Sequence, residues 1–366
     1  MIDLSLLADG GLAWLDASGP HSHMVLSTRV RLARNLETHA FSTRTSPAER
    51  EAILADVVAA ARATRPLADG AVFRLDILEH AERLLLHERH LVSRDLAGLE
   101  GEQPVRSAAA LVTSGSVGAM VNEEDHLRLQ GVVSGFALEA VYRAVDGLDT
   151  ELGQRLPYAF HPEFGYLTSC PTNVGTGLRA SVLIHLPGLV LTKEIAKVLQ
   201  GLGQVGLTFR GLYGEGSEVV GNLFQLSNQT TLGRTERELL DHLGKMVRQV
   251  VAYEEEARNV LLRDAPSIIE DKVWRAYGLL RYARGLSFEE TMNLLSGVRL
   301  GIGTGLITEV GVYALNKLLI HSQPAHLAIS EGLSLGDPDL PRRRAALVRR
   351  VLGEEAGRRG GHPQAG

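Results

Sequence analysis

The chain has 366 residues, enough for a sizeable core and for two domains rather than one. Its formal net charge of -5 argues against a nucleic-acid partner, and its single cysteine, Cys170, excludes an intramolecular disulfide and indicates a reducing compartment. The first residues predict no signal peptide and no later window has about 18 uninterrupted apolar residues, so we expect a cytoplasmic protein without a membrane partner.

The first strong element is residues 25–35, VLSTRVRLARN, which predicts a strand. With a two-residue period, Val30 and Leu32 point to one face while Arg29 and Arg31 point to the other. A guanidinium group is costly to desolvate without a partner. The arginine face is therefore expected to meet either solvent and nearby carboxylates or a polyanion such as a triphosphate.

Strand and helix signals then alternate along the chain. Ser46, Pro47 and Glu49 mark the start of a helix whose periodicity continues to about Ala63. The further predicted elements are a strand at 71–78, two strands around a Gly/Ser turn at 109–122, a strand leading into a helix at 126–152, a strand, polar loop and buried apolar run at 165–187, a helix at 192–202 and a strand at 206–214.

From Thr235 the pattern is helical and highly charged, and it stays helical nearly to the end of the chain. This predicts an α/β domain at residues 1–258, an all-helical domain at 259–357 and a disordered tail at 358–366. The first boundary is soft, because a charged helix runs through it without a Gly/Pro linker.

Two short motifs were weighed for chemistry. GLGQVG at 201–206 has the spacing of a dinucleotide fingerprint, but a helix precedes it and a strand follows, the reverse of what the motif needs, so a helix-stop glycine cluster is the better interpretation. NEEDH at 122–126 is compatible with a metal site or with a solvated acidic loop. At most two of its side chains can converge on one point, and no phosphate-loop motif occurs elsewhere.

The segment SCPTNVGTGLRASV at 169–182 combines a cysteine in a polar loop with glycines, Gly175 and Gly177, that let the backbone approach a ligand closely. Arginines on or beside strands, near such loops, together with loop carboxylates, suit a polyphosphate bound by guanidinium groups instead of backbone amides. These charged residues are Arg29, Arg31, Arg128, Arg179 and Arg210, with Glu124 and Glu215.

Four blocks in this order resemble the phosphagen (ATP:guanido) kinase superfamily: STRVRLARN, NEEDHLRLQ, CPTNVGTGLRASV and RGLYGEGSE…GNLFQLSNQTTLG. The resemblance covers nearly the whole chain. Within the superfamily the sequence looks like the bacterial protein-arginine kinases (McsB). Kinases of small guanidines carry a helical domain before the R-x-R strand, whereas this chain has extra helical sequence after its core.

The resemblance implies a kinase core with an antiparallel sheet flanked by helices, and a C-terminal all-α domain that contributes to dimerisation and recognises phosphoarginine. It implies that Glu124, Glu215 and Cys170 engage the substrate guanidinium. The implied ATP-binding residues are Ser27, Thr28, Arg29, Val30, Arg31, His90, Arg128, Arg179, Ala180, Ser181, Val182, Leu183, Arg210, Gly211, Leu212, Tyr213, Gly214 and Glu215.

The sequence departs from the family in one motif. The family's R-D-x-x-R-A motif forms a phosphoarginine pocket, and the aligned stretch here is LPRRRA at 340–345. Arg344 and Ala345 match, but Leu340 and Pro341 replace the leading Arg-Asp pair. Arg343 and Arg344 are the candidate pocket residues, and the departure argues against product-driven regulation through them.

The predicted activity is transfer of the ATP γ-phosphate to arginine side chains of proteins. Glu124 is expected to act as the base, Glu215 to orient the guanidinium and the Cys170 thiolate to position it, with Mg²⁺ held through phosphates and water. The predicted partners are protein substrates, an McsA-like activator, a Clp-type protease and a second copy of the chain. The alternatives are a kinase for free arginine or another small guanidino compound, a pseudokinase adaptor, and nucleic-acid binding through the arginine-rich end.

Overall fold

The structure, a computed structural model, describes residues 12–41, 44–99, 104–212 and 219–360. The strands of this part of the chain are β1 (Val25–Arg34), β2 (Ala71–Arg74), β3 (Ala110–Ser114), β4 (Val117–Val121), β5 (Leu127–Ser134), β6 (Phe160–His161), β7 (Gly165–Tyr166), β8 (Leu178–His185), β9 (Leu207–Arg210) and β10 (Leu223–Asn228). Its helices are α1 (Pro47–Arg62), α2 (His80–Glu88), α3 (Leu138–Gly153), α4 (Pro187–Leu191), α5 (Ile195–Gln204), α6 (Glu236–Asp264), α7 (Pro266–Tyr282), α8 (Phe288–Gly303), α9 (Val312–His321), α10 (Pro324–Glu331) and α11 (Leu340–Gly360).

Eight strands form one sheet in the order β2-β3-β4-β5-β1-β8-β10-β9, and each neighbouring pair is antiparallel. The antiparallel sheet flanked by helices is confirmed. β1 lies near the middle, where Arg31 is paired with Gln130 of β5 on one side and with Arg179 of β8 on the other. This register places side chains from three strands in one row on the same face of the sheet.

The predicted alternation of β1 is present. Val30 and Leu32 are buried in the main core, on the face that α3 covers, while Arg29 and Arg31 lie on the opposite face. Gly131 on β5 allows α3 to approach closely, since a Cβ there would lie 2.6 Å from a methyl group of Val145. α3 therefore covers one face of the sheet, whereas α2, α8 and α9 pack against only parts of the other face and leave its central arginines lining a cavity.

The predicted strand at 71–78 is shorter in the structure. β2 ends at Arg74 and a 3₁₀ turn follows, because Asp76 forms an ion pair with Arg74 at 2.6 Å and accepts the backbone N–H of Ala108 at 2.8 Å. The predicted helix at 192–202 begins at Ile195 and continues to Gln204. The glycine of the GLGQVG motif that follows the helix is Gly206, which has φ +78°.

β10 was not predicted from the residues, although it lies inside the sheet between β8 and β9. Its sequence LFQLSN is buried throughout and mixes polar with apolar side chains, so it lacks the alternation that marks a half-buried strand. The Asn228 side chain accepts the N–H of Ala180 at 2.7 Å and donates to the carbonyl of Leu178 at 3.0 Å. These bonds offset the cost of burying its amide.

The helical region after α6 has its own apolar core, which includes Val273, Leu318 and Val348. α6 runs across position 258 to Asp264, so the division of the chain at that position stays a prediction. Among the described residues, none of the helices combines the length and the apolarity that a membrane span needs.

Glu88, the last residue of α2, joins the sheet domain to this helical region. Its two carboxylate oxygens accept the backbone N–H groups of Ala325 and His326 at 2.9 and 2.8 Å, at the start of α10. A carboxylate at this position satisfies N–H groups that have no partner within the helix. Burial raises the pKa of Glu88 to about 7, although both of these hydrogen bonds favour the charged form.

We expect Glu88→Gln to change how stability depends on pH. The folded-state pKa lies above the unfolded value of 4.5, so the stability that this group contributes is fully present below pH 4.5 and is lost as the pH rises through about 7. The glutamine cannot ionise. Its free energy of unfolding should therefore rise relative to wild type between pH 5 and 8, on the order of 3 kcal/mol.

Urea unfolding of both proteins at pH 5, 6.5 and 8 measures this difference. The glutamine donates where the carboxylate accepts, so the loss of one hydrogen bond shifts its curve by a constant amount. Two curves that stay parallel across the pH range would show that the ionisation of Glu88 does not affect stability.

Candidate active site

A cavity of about 600 Å³ opens on the arginine face of the sheet. Strands β1, β5, β8 and β9 each contribute at least one arginine to its wall, and the Cys170 loop contributes the thiol. The structure thus brings together most of the charged residues predicted from the sequence. The predicted site residues that line this cavity are Arg29, Arg31, His90, Glu124, Arg128, Cys170, Arg179, Arg210 and Leu212.

Three predicted residues, Ser27, Ser181 and Leu183, line a smaller cavity that adjoins the first and shares Arg29, His90 and Leu212 with it. The intervening residues of the same strands face the other way. Those with side chains buried on the helix-covered face are Thr28, Val30, Ala180 and Val182. They can reach a ligand only through their backbone atoms.

The predicted loop after β9 is described only in part. Gly211 and Leu212 are buried, whereas Tyr213, Gly214 and Glu215 lie outside the described residues. Of the two glutamates predicted to engage the guanidinium, the structure therefore locates Glu124. The placement of Glu215 stays a prediction.

The arginines of the cavity crowd one another. Burial, together with the charges of Arg29, Arg128 and Arg179, lowers the pKa of Arg31 well below its ordinary value. Within the described part of the chain, the Nε atom of Arg31 is buried and has no hydrogen-bond partner. Burial and two of the same charges also lower the pKa of Arg29 to about 10. A positive field of this kind favours a bound polyanion.

Side-chain partners orient Arg29 and Arg128 in the cavity. Arg29 donates to the Gln225 carbonyl oxygen at 2.9 Å. Arg128 donates to the buried Glu123 at 2.6 Å and to Glu124 at 3.1 Å. Burial opposes the charge of Arg128, but both glutamates favour it, and its pKa is raised. Glu123 therefore acts as the structural counter-ion of Arg128.

Glu124 is more accessible, with 41 % of its side chain exposed. Burial raises its pKa, Arg128 lowers it, and the net direction is upward, which makes this carboxylate a stronger base. The Cys170 side chain forms a hydrogen bond with Glu124, and its sulfur also lies 3.0 Å from the Thr172 hydroxyl. The carboxylate and the thiol therefore lie together at one end of the cavity.

His90 lies where the two cavities meet, beside the Trp14 ring at a centroid distance of 5.4 Å. Burial and the charge of Arg29 lower the pKa of His90 far below its ordinary value, so the imidazole is neutral at pH 7. It can contact a nucleotide without adding another positive charge to the cluster.

Both interpretations of NEEDH at 122–126 are wrong. Asp125 accepts the side chain of Asn35 at 2.8 Å and the N–H of Ser169 at 2.6 Å, and both ring nitrogens of His126 are engaged by backbone groups of β1's flanking loop, at Leu36 and Ala40. Throughout the described ranges there is no group of three His, Cys, Asp or Glu residues that could hold a metal ion. Apart from Glu124, which faces the cavity, the side chains of this segment are buried, so it is not a solvated loop.

Sequence reasoning missed Arg94 and Arg106, which also line the large cavity. Arg106 forms an ion pair with Asp95 at 2.8 Å. Both arginines lie in irregular chain between α2 and β3, where no periodicity indicates which side chains face a site. Only the local density of charge could have drawn attention to them.

The two candidate phosphoarginine-pocket residues have internal contacts. Arg344 is buried and donates to the carbonyl oxygens of Ser322 at 2.7 Å and Leu286 at 3.0 Å. Arg343 forms ion pairs with Asp339 at 2.8 Å and with Glu331 at 3.5 Å. A phosphoarginine pocket at these residues stays a prediction.

Comparison with known proteins places this geometry in a family. The family model for the ATP:guanido phosphotransferase C-terminal catalytic domain matches residues 53–257, and that for the protein-arginine kinase McsB C-terminal domain matches residues 266–360. The protein-arginine kinase of Symbiobacterium thermophilum is 43 % identical over 342 residues, covering 93 % of this chain and 96 % of that protein. That of Desulforamulus reducens is 44 % identical over 343 residues, covering 93 % and 95 %.

Solved structures agree on the fold. The duplicated taurocyamine kinase from Schistosoma mansoni, with bound transition state analog components, superposes with a TM-score of 0.57 and 27 % identity, covering 65 % of this chain and 34 % of that one. Lombricine kinase, at 23 % identity and a TM-score of 0.55, covers 66 % of this chain and 70 % of its own, and supports the fold alone. The chain belongs to the ATP:guanido phosphotransferase family, in its protein-arginine kinase branch.

Proposed function

We propose that the cavity binds ATP and that the protein transfers the γ-phosphate to arginine side chains of proteins. The observation that carries the proposal is the cluster of desolvated arginines on adjacent strands, next to an accessible glutamate and a thiol. The arginines would grip the triphosphate where no glycine phosphate loop exists. The Glu124 end of the cavity would receive the guanidinium of the substrate.

Arginine is a poor nucleophile, because its guanidinium has a pKa above about 12 and its nitrogen lone pairs are delocalised. Glu124 would accept a hydrogen bond from a terminal nitrogen and aim it at the γ-phosphorus. As the N–P bond forms, the bond from the γ-phosphorus to the β–γ bridging oxygen breaks and ADP leaves, while the attacking nitrogen becomes acidic and Glu124 takes its proton. Cys170 would place its sulfur beside the guanidinium as a positioning group, with Glu215 as the second orienting carboxylate.

Phosphoryl transfer through a loose, in-line transition state requires positioning and charge neutralisation. The arginines supply both for the phosphate oxygens. The carboxylates Glu123 and Asp95 that line the cavity are already paired with Arg128 and Arg106, so the donor set suits Mg²⁺ held by phosphates and water. When bound in this way, Mg²⁺ would add to the neutralisation of the phosphate charge.

The relatives favour the arginine side chains of proteins, and not a free guanidino compound, as the substrate of this protein. The two relatives described above, which each match over 93 % of this chain, are protein-arginine kinases, and the McsB C-terminal domain model matches the helical region. We extend the proposal to a cytoplasmic homodimer that works with an McsA-like activator and marks proteins for a Clp-type protease.

The test is phosphosite mapping after incubation of the protein with ATP, Mg²⁺ and a disordered protein substrate. Acid-labile phosphate on arginine residues is the expected result. A parallel reaction contains free arginine in place of the protein substrate. If only the free arginine is phosphorylated, the protein is a small-guanidine kinase. If the protein binds ATP but transfers no phosphate, it is a pseudokinase.

Arg210→Ala is expected to weaken ATP binding about 10- to 100-fold without unfolding the chain, because one charge-assisted hydrogen bond to phosphate contributes on the order of 1.5–3 kcal/mol. ATP should raise the melting temperature of wild type more than that of the variant. Arg275→Ala is the control, since Arg275 is 71 % exposed on α7 and pairs with Asp271, one turn earlier on the same helix. A variant that melts far earlier but binds ATP normally would make Arg210 structural.

A further inference from the structure

An exposed aromatic hairpin stands beside the guanidinium end of the cavity. Strands β6 and β7 form this hairpin, and Phe160 and Phe164 are 56 % and 45 % exposed. The His161 ring stacks on Phe164 at a centroid distance of 4.8 Å, and Phe160 contacts the Tyr166 ring edge-on at 5.3 Å. Exposed aromatic residues that contact one another are costly unless they serve a partner.

The base of the hairpin is fixed to the catalytic scaffold. Tyr166 exchanges backbone hydrogen bonds with Gly175 at 2.8 and 3.2 Å, and Gly175 lies in the loop that carries Cys170. The Arg34 guanidinium lies 3.5 Å from the centroid of the Tyr166 ring and pairs with the buried Asp149 at 2.7 Å. The exposed aromatics are therefore held in place and are not a loose loop tip.

A second apolar group continues this surface. The Thr231 hydroxyl donates to the carbonyl oxygens of Thr172 and Val174 at 2.9 and 2.7 Å. The next residue, Leu232, is 49 % exposed, and its Cα would lie 3.0 Å from a Cβ on Gly175. We define the apolar rim as Phe160, Phe164 and Leu232.

The rim is within reach of a polypeptide whose arginine occupies the cavity. Cys170 follows six positions after Phe164, and an extended chain advances at most about 3.6 Å per residue, so the two Cα atoms lie within about 22 Å of each other. An extended substrate covers the same distance with about six residues. A free guanidino compound has no group that could reach it.

We propose that the apolar rim binds apolar side chains of the substrate polypeptide, within about six residues of the target arginine. The inference rests on the proposed function and adds a substrate preference to it. In folded proteins, large apolar side chains are mostly buried, whereas an unfolded chain presents them beside its arginines. The rim therefore makes the kinase prefer unfolded segments to arginines on a folded surface.

The experiment compares two unstructured peptides that each contain one arginine, flanked on both sides by leucine in one peptide and by serine in the other. We expect wild type to phosphorylate the leucine peptide with a kcat/KM about tenfold higher, mainly through a lower KM. Phe160→Ser/Phe164→Ser should reduce this ratio to within about twofold and leave the serine peptide unaffected. Ile77→Ser is the control, since Ile77 is 76 % exposed and follows β2, an edge strand of the eight-stranded sheet to which the hairpin does not belong.

Each outcome has a separate meaning. Equal rates on both peptides with wild type would overturn the rim inference alone, while phosphorylation of neither peptide would overturn the proposed function as well. The double variant could lose kcat/KM equally for both peptides. The single variants and a melting curve then decide whether the hairpin is structural, and a structural hairpin also overturns the inference. A variant-dependent change in oligomeric mass, with equal peptide rates, would assign the rim to a second copy of the chain.

Discussion

Glu124→Gln is expected to lower turnover at least about 100-fold, the usual scale for loss of an acid–base group. The glutamine keeps the size of the side chain and can still accept one hydrogen bond, but it cannot take the proton that leaves the attacking nitrogen. ATP affinity should change little, because Glu124 lies at the guanidinium end of the cavity. Steady-state kinetics and ATP titration of the purified variant separate these two effects.

The pH profile provides an independent readout. Burial raises the pKa of Glu124 above its usual value of 4.5, and a base must be ionised to act. The kcat/KM of wild type should therefore fall as the pH is lowered through that raised pKa, while the residual activity of Glu124→Gln should lack this acidic limb. Normal phosphoarginine formation by the variant would exclude Glu124 from the mechanism.

Glu123→Gln is the matched control, because Glu123 is the adjacent residue with the same side chain. Glu123 is fully buried and accepts Arg128 at 2.6 Å, so its neutralisation leaves Arg128 with a weaker counter-ion. We expect a lower melting temperature for this variant and a smaller loss of turnover per folded molecule. The pair of variants thus separates the structural carboxylate from the chemical one.

The features that were predictable from the sequence are those with a local period. In β1, two-residue alternation alone placed Arg29 and Arg31 on one face and Val30 on the other, and the structure has this arrangement. The antiparallel sheet was implied by the family resemblance, and the order of its strands was not predicted. The local sequence does not show that β1 pairs with β8 or that Arg31 lies opposite Arg179.

Features that depend on the fold were missed. Adjacent glutamates look equivalent in sequence, and only the position of Arg128 shows that Glu123 is its counter-ion. β10 lacks alternation because both of its faces are buried, and Arg94 reaches the cavity from irregular chain. In each case a contact distant in sequence decides the role of the residue, so no window of neighbouring residues could have revealed it.

Arg31→Met is expected to weaken ATP binding more than about 100-fold and, at the same time, to increase the free energy of unfolding by about 1–2 kcal/mol. Among the residues that the structure describes, no carboxylate forms an ion pair with Arg31. Its pKa is lowered by burial and by the charges of Arg29, Arg128 and Arg179, so folding places an ionised guanidinium where it is disfavoured. A methionine of similar length removes that repulsion and also removes the phosphate ligand.

Arg34→Met, on the same strand, is the control, because it should lower the free energy of unfolding where Arg31→Met should raise it. Arg34 is buried against Asp149 at 2.7 Å and stacks on Tyr166, so its removal leaves a buried carboxylate without its partner. This should cost about 3–5 kcal/mol. Urea unfolding without nucleotide measures both variants, and ATP titration measures the affinity of Arg31→Met. If Arg31→Met is destabilised as strongly as Arg34→Met, then Arg31 stabilises the sheet. In that case the repulsion between Arg31 and the neighbouring arginines does not lower the stability of the protein without nucleotide.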